Sequence, residues 1–502
     1  MLFAFLVFAT LFLYFYNLGF NQVWQPNEAF YAEAAKNMLR SGDFLTPVFN
    51  GEIRLNKPPM TYWLTALSFY IFGVNEFALR FFQVIAGLGT GILTFLIACK
   101  FTERETALLA FVLLTLSFQF IANARYTSPE VLLTFFITLS LYLWYISYEK
   151  NSKLLLFLSF TASALAVLTK GPVGFLLPAL IIFMFLLFTN PKEILRKEYY
   201  IGSMYVFLIS GWWFVYQFIK NQEIFSEVFI KENIKRIYSL QQDPFYFYLL
   251  DIPVSFLPYS FVFFIAFFWI LKNKLRNLLF PVVWFTIVFL VFSFVKMKLP
   301  VYIMPAFPAM AVLTAEFVKT VEPMRILKGL YVFLGILLLL ATLTSAVLFK
   351  FNFPVLLLSG VVFFLPVILK NYRLIPAFGA VSLFLYLSAV ILPHVEKYRP
   401  YKSIGDKIKQ IDPSAKLKFY EVGAFHYNLP FYTDRIVLRK SSVEEIKGKA
   451  LILVKENIYK CNPVAEWNLY LGSESRFFKF LIHIKENRNF GKFKLCIFNR
   501  EI

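Results

Sequence analysis

The stretch "LLLFLSFTASALAVLTKGPVGFLLPALIIFMFLLF", residues 154–188, contains a single charged residue, Lys170. Two apolar runs of this kind, joined by a Lys-Gly-Pro turn, are typical of helices that cross a membrane. The whole chain has the same character, since 59% of its 502 residues are hydrophobic, 20% are aromatic and 16% are charged. Soluble proteins carry roughly 25% charged residues. The composition therefore predicts a polytopic membrane protein and argues against a soluble domain with a large core.

Apolar runs of membrane-spanning length recur along the chain. A window of about 20 residues predicts about thirteen transmembrane helices, near residues 1–20, 78–99, 106–122, 130–147, 154–169, 172–188, 201–219, 251–271, 278–295, 300–317, 328–348, 354–369 and 375–393. The shorter apolar stretch 60–73 follows "KPP" and is predicted to be an interfacial helix. A span at 60–73 would place every later loop on the opposite side.

Lysine and arginine are unevenly distributed between the predicted loops. They are denser in one alternating set, which includes residues 100–104 and 192–197. The positive-inside rule places this set in the cytoplasm. The loops 21–77 and 220–250 and everything after Pro393 then face outward. The opening segment lacks a basic n-region and a small-residue cleavage site, so it is predicted to be a retained span.

The last part of the chain has a different composition from the rest. Beyond residue 393 the charge is mixed, and runs such as "AKLKFYEV" and "ALILVKE" favour short strands. We predict a transmembrane domain at 1–393 and a small outward α/β domain at 394–502. Cys461 and Cys496 both lie in this tail, where they either pair in an oxidising compartment or remain two separate core thiols.

Charged and polar residues gather at the outward ends of the predicted helices. Such groups are costly there unless they pair or meet a charged ligand. Together they would form a cationic pocket suited to a lipid phosphate; separately they would be local snorkelling anchors. Much of the net charge of +20 reflects the inside-positive loops, and the rest would attract anionic lipid or phosphate; nucleic-acid binding is the weakest interpretation. The outward groups include Glu28, Lys57, Arg125, Glu130, Lys170, Arg236, Asp243, Lys298 and Tyr302.

Four blocks, in order along residues 1–400, resemble a known family. They are "NEAFYAEAAKNMLRSGDFLTPVFNGEIRLNKPPMTYWL" from Asn27, "LTKGPVGFLLP" from Leu168, "QQDPFYFYL" from Gln241 and "KLPVYIMPAFPAM" from Lys298. This pattern resembles the membrane glycosyltransferases that take sugars from polyprenyl phosphates: the lipid A aminoarabinose transferases and, more distantly, the protein O-mannosyltransferases.

The resemblance implies a GT-C fold: an all-α membrane domain of thirteen spans, interfacial helices in the first outward loop, and a small periplasmic α/β domain. It implies donor-phosphate binding by Lys57, Arg236 and Tyr302, with Arg125 and Lys298 as second-rank candidates. The implied enzyme is a monomer in the bacterial inner membrane that moves a sugar, with inversion, from undecaprenyl phosphate to lipid A or a related envelope glycolipid. Protein O-glycosylation and lipid or solute transport are the alternatives. A divalent metal is compatible with carboxylates beside a lipid phosphate, but no ligand set is evident.

One position departs from the family pattern. Relatives carry Asp-Glu where this chain has Asn27-Glu28, and an amide cannot act as a general base. Three explanations are open. The acceptor is a phosphate that needs no base; or Glu28 or Glu130 is the catalytic carboxylate; or the chain is retuned, engineered or inactive.

Overall fold

The computed structural model describes residues 2–230, 243–321, 325–474 and 477–500. Helices dominate residues 2–411. They are α1 Leu2–Phe15, α2 Asn27–Ser41, α3 Met60–Phe72, α4 Glu76–Ala98, α5 Arg104–Thr115, α6 Phe118–Ala124, α7 Pro129–Lys150, α8 Lys153–Lys170, α9 Val173–Thr189, α10 Lys197–Lys220, α11 Gln222–Phe229, α12 Phe247–Ser255, α13 Ser260–Lys272, α14 Leu279–Phe294, α15 Phe307–Thr320, α16 Arg325–Leu348, α17 Phe353–Ile368, α18 Ile375–Tyr386, α19 Leu392–Val395 and α20 Tyr401–Ile411.

Within the described ranges, seven helical segments are long and apolar enough to cross a membrane. Five shorter apolar helices of 10–17 residues accompany them. This agrees with a multi-pass membrane protein, and the number thirteen stays a prediction. The stretch 60–73 does form a helix, α3, which packs on α2 through Tyr31, Met38 and Tyr62.

Two predicted spans are broken, so the prediction of one continuous helix for each was wrong. The span predicted at 106–122 consists of α5 and α6, which meet at an angle of 68°. The span predicted at 251–271 is divided between α12 and α13, with Pro258 in the gap. The main-chain N–H of Phe118 donates at 2.8 Å to the carbonyl of Leu257, so the two breaks satisfy each other's backbone groups.

The C-terminal part of the chain forms a mixed sheet, as predicted. Its strands are β3 Lys418–Val422, β4 Val437–Lys440, β5 Gly448–Lys455, β6 Ala465–Tyr470 and β7 Phe490–Arg500, in the order β4-β3-β5-β7-β6. The first three pair in parallel, and β7 pairs antiparallel with both β5 and β6. Two short helices, α21 Leu429–Thr433 and α22 Phe477–Glu486, complete this region. Cys461 and Cys496 form a disulfide, which decides between the two alternatives.

This sheet region packs directly on the first long loop, whose hairpin consists of β1 Val48–Phe49 and β2 Glu52–Ile53. The hydroxyl of Tyr432 accepts a hydrogen bond from the Val23 amide at 2.8 Å and donates one to Glu76 at 2.9 Å. Asn50, in the hairpin turn, exchanges hydrogen bonds of 3.0 and 2.7 Å with the main chain of Val437. The loop and the sheet therefore pack together on one side of the helical bundle, and the outward location of this side stays a prediction.

Candidate active site

A cavity of about 440 Å³ lies between α9, α10, α11, α14 and the segment that precedes α3. Most of its wall is aromatic or aliphatic. Its charged members are Lys57 and Lys170, and Tyr302 and Asn56 add polar groups. An apolar cavity with a few polar groups fits a ligand that has both a hydrocarbon part and an anionic part.

Local sequence places Lys57 at this wall. Pro58 disfavours a helical conformation for the residue before it, and Pro59 is the N-cap of α3, which begins at Met60. Pro58 thus favours an extended conformation at Lys57 and keeps this residue out of the helix. Lys57 stays in the connecting segment, from which it lines the cavity.

Lys170, the last residue of α8, links three elements at the cavity. Its ammonium lies 3.1 Å from Oε1 of Glu130 on α7 and 4.3 Å from the ring centroid of Tyr302. The chain then turns sharply at Gly171, whose φ of +88° is a conformation that other residues rarely adopt. The positive charge of Lys57 also acts on Glu130. Two cations, one carboxylate and one phenol thus group together, and their net charge is positive.

Lys170 was predicted among the outward charged groups, but no role in the site was predicted for it. The sequence signal for Lys170 is that it is the only charged residue among residues 154–188. Tyr302 lies in the 3-10 helix Pro300–Ala306 and packs on Phe292, with 5.7 Å between ring centroids. The structure therefore brings together Lys57, Glu130 and Tyr302, which the sequence predicted, and adds Lys170.

The other two predicted catalytic positions, Asn27 and Glu28, open α2. The Asn27 side chain is exposed, whereas that of Glu28 is buried. The Glu28 carboxylate forms an ion pair with Arg80, at 2.7 and 2.8 Å. It also accepts hydrogen bonds from the main-chain amides of Trp24 and Thr127, at 2.9 and 3.1 Å. Four donors on two buried oxygens are typical of a structural ion pair, so this geometry does not favour a proton-transfer role for Glu28.

The second-rank candidates lie in other surroundings. Arg125 donates to the carbonyls of Leu13 and Tyr16 at 2.6 and 2.7 Å, and therefore ties α1 to the end of α6. Lys298 donates from its ammonium to the carbonyl of Asp243 at 3.1 Å. Neither lines the cavity. Arg236 lies outside the described residues.

A second buried carboxylate on α2, that of Glu33, was not predicted. Glu33 accepts a hydrogen bond from the amide of Asn50 at 3.0 Å, while its Oε2 is buried without a partner among the described residues. Burial raises the pKa of the Glu33 carboxyl to about 7, although the Asn50 hydrogen bond opposes this shift. The only sequence signal for the burial of Glu33 was its position among alanines on a helix with one apolar face.

Within the part of the chain that the structure describes, no three His, Cys, Asp or Glu side chains are grouped closely enough to hold a metal ion.

Known proteins show clear similarity to this chain. The family model "Dolichyl-phosphate-mannose-protein mannosyltransferase" matches residues 1–226. An "Uncharacterized protein" of Aquifex aeolicus (strain VF5) is 56% identical over 492 residues, with 97% of each chain covered. The "Undecaprenyl phosphate-alpha-4-amino-4-deoxy-L-arabinose arabinosyl transferase 1" of Proteus mirabilis (strain HI4320) is 27% identical over 323 residues, which cover 62% of this chain and 58% of that one.

The structure is also similar to a solved membrane protein. The crystal structure of ArnT from Cupriavidus metallidurans bound to undecaprenyl phosphate superposes with a TM-score of 0.78 at 21% identity, and the match covers 91% of this chain and 93% of that one. This similarity confirms the predicted fold class, a helical membrane domain with a small C-terminal α/β region.

Proposed function

This chain belongs to the GT-C membrane glycosyltransferases that take sugars from polyprenyl phosphates, and we propose that it transfers a sugar from undecaprenyl phosphate to lipid A or a related envelope glycolipid. The reaction would take place on the periplasmic face of the bacterial inner membrane, with inversion at the sugar carbon. The observation that supports this proposal is the grouping of two cations, Lys57 and Lys170, with the Tyr302 phenol on the wall of a largely apolar cavity.

The chemistry of the donor explains this arrangement. When the bond between the sugar carbon and the donor phosphate breaks, the bonding electrons stay with the leaving polyprenyl phosphate. Fixed cations beside that phosphate stabilise the developing charge more in the transition state than in the ground state. Lys57, Lys170 and the Tyr302 phenol would supply this stabilisation, and we retain Arg236 as a further donor-phosphate ligand. The apolar wall would contact the first isoprene units.

A phosphate acceptor would explain why an amide, Asn27, can stand where relatives have a carboxylate. A phosphate oxygen is already anionic at neutral pH, so it can attack the sugar carbon without giving up a proton. The new bond then forms opposite the departing phosphate, and the sugar carbon is inverted in one step. A site for such an acceptor needs no general base at Asn27. Glu130, held by Lys170, would orient the cations, and Glu28 would hold α2 in place through Arg80.

A second candidate is protein O-glycosylation, because the matching family model describes mannosyltransferases that act on proteins. A serine or threonine hydroxyl must lose its proton during transfer. Glu130 is the carboxylate of the described site that would have to accept it, and its pairing with Lys170 disfavours that role.

Transfer by the purified chain in lipid nanodiscs tests the proposal. The reaction would contain undecaprenyl-phosphate sugars as donors and either lipid A or a serine-containing peptide as acceptor. We expect transfer to lipid A and a loss of about tenfold or more in kcat/KM for Lys57→Ala, which removes a charged contact to the donor phosphate. Lys220→Ala is the matched control, since Lys220 is an exposed cation that bonds to Tyr216 on the same helix.

Three other outcomes are informative. Equal activity of Lys57→Ala and Lys220→Ala would remove Lys57 from the donor site. Transfer to the peptide alone would select the second candidate. Activity that appears only after Asn27→Asp would mean that the chain as written lacks its catalytic carboxylate.

A further inference from the structure

A second cationic feature lies beside the donor cavity and has no role in the donor chemistry above. Arg54 follows β2, and its guanidinium carbon lies 3.5 Å from the ring centroid of Phe30 on α2. Its Nε is buried and has no hydrogen-bond partner among the described residues. Nor does a described carboxylate form an ion pair with it, although other outward arginines such as Arg40 and Arg80 are paired. Arg54 is thus a fixed, half-buried cation without a counter-ion in the described structure.

Aromatic side chains hold this cation in place. Phe49 and Tyr427 both contact Phe30 edge to face, with ring centroids 4.8 and 5.3 Å apart. Tyr427 comes from the C-terminal sheet region, is 37% exposed, and donates its main-chain N–H to Gln25. A guanidinium stacked on an aromatic ring can keep its terminal N–H groups available for an anion, because stacking uses only the face of the group.

Arg54 and the three rings of Phe30, Phe49 and Tyr427, which we call the platform, adjoin the donor site. Arg54 is three residues before Lys57, and the charges of Arg54 and Glu130 both act on the Tyr31 hydroxyl of α2. Asn27 and Phe30 are three positions apart on this helix and so share a face. Arg54 therefore lies on the Asn27 side of α2, where no described carboxylate neutralises it.

We propose that Arg54, stacked on Phe30 and bordered by Tyr427, binds a phosphate group of the acceptor glycolipid and so determines acceptor specificity. This proposal rests on the proposed function for the acceptor class, but it assigns a separate phosphate site from that of the donor. A bidentate guanidinium is suited to a phosphate monoester. The tyrosine would make the C-terminal region part of the acceptor site.

Direct binding tests this assignment without requiring turnover. The full-length protein in nanodiscs is titrated with lipid A, with the same lipid after phosphatase treatment, with undecaprenyl phosphate and with inorganic phosphate. We expect Arg54→Gln to weaken lipid A binding about tenfold or more, Arg54→Lys to weaken it less, and neither to alter undecaprenyl phosphate binding. Arg40→Gln, which removes an equal charge from the same helix-and-hairpin region, should leave all affinities unchanged. Thermal unfolding of each variant reports whether it is folded.

The outcomes separate this proposal from the proposed function. Equal binding of lipid A and its dephosphorylated form, or an equal effect of Arg54→Gln on lipid A and undecaprenyl phosphate, would overturn the acceptor assignment. Inorganic phosphate binding as tightly as lipid A would show that the platform selects free phosphate, and would also overturn it. By contrast, absence of transfer together with Arg54-dependent lipid A binding would contradict the proposed function and leave the Arg54 site standing.

Discussion

Replacing Glu28 with glutamine separates a structural role from a catalytic one. The carboxylate is 0% exposed and takes four hydrogen bonds, two of them from Arg80. Glutamine keeps one oxygen but presents an NH₂ group to donors that already point at it, and it leaves the Arg80 guanidinium without a counter-ion. Breaking a buried ion pair by removing one partner costs about 3–5 kcal/mol. We expect Glu28→Gln to lower the free energy of unfolding by about this amount.

Arg80 also donates to the carbonyls of Leu18 and Asn21, each at 2.8 Å, so the ion pair fixes the segment that leads into α2. The double variant Glu28→Gln/Arg80→Met removes both buried charges and should be more stable than the sum of the two single changes predicts. The double variant should still be less stable than the unmodified protein, because the carbonyls of Leu18 and Asn21 lose their hydrogen-bond donor, Arg80.

Two measurements test this prediction. Tryptophan fluorescence monitors chemical unfolding in detergent, and a transfer assay measures the activity of the folded fraction. A fall in kcat of about a hundredfold or more, the range of general acid–base catalysis, with no change in unfolding would refute the structural role. It would restore Glu28 as a catalytic carboxylate.

Three further predictions concern other parts of the molecule. The pKa of the Glu33 carboxyl is raised to about 7 in the folded protein, so the folded state binds the carboxyl proton more tightly than the unfolded state does. The free energy of unfolding should therefore fall by about 3 kcal/mol as pH rises from about 4 to 8. Urea titrations over this pH range should show a flatter dependence for Glu33→Gln. Gly174→Ala should destabilise the protein by about 1–3 kcal/mol, because a Cβ there would lie 2.3 Å from the main chain of α8, whereas Gly211→Ala meets nothing within 4 Å and should be neutral in thermal unfolding. Reduction of the Cys461–Cys496 disulfide, which spans 35 residues, should cost the C-terminal region about 4 kcal/mol; equal thermal stability with and without reductant would contradict it.

The protein class, the C-terminal strands and part of the site follow from the sequence alone. Long uninterrupted apolar runs are typical of membrane spans whatever their arrangement, and the runs "AKLKFYEV" and "ALILVKE" predicted the strands β3 and β5. Lys57 and Tyr302 were predicted as donor-phosphate ligands because the blocks that contain them resemble those of the polyprenyl-phosphate glycosyltransferases, and the structure brings both to one cavity.

Other features depended on contacts between residues far apart in the chain. Glu28 meets Arg80 at a separation of 52 residues, and Lys170 meets Glu130 at a separation of 40. Local pattern gives a charged side chain's position but not its partner, so the sequence alone could not separate a catalytic carboxylate from a buried ion pair. The two broken spans were missed for the same reason. The amide of Phe118 finds its acceptor in Leu257, and a helix can stop inside an apolar run only where tertiary packing supplies such a partner.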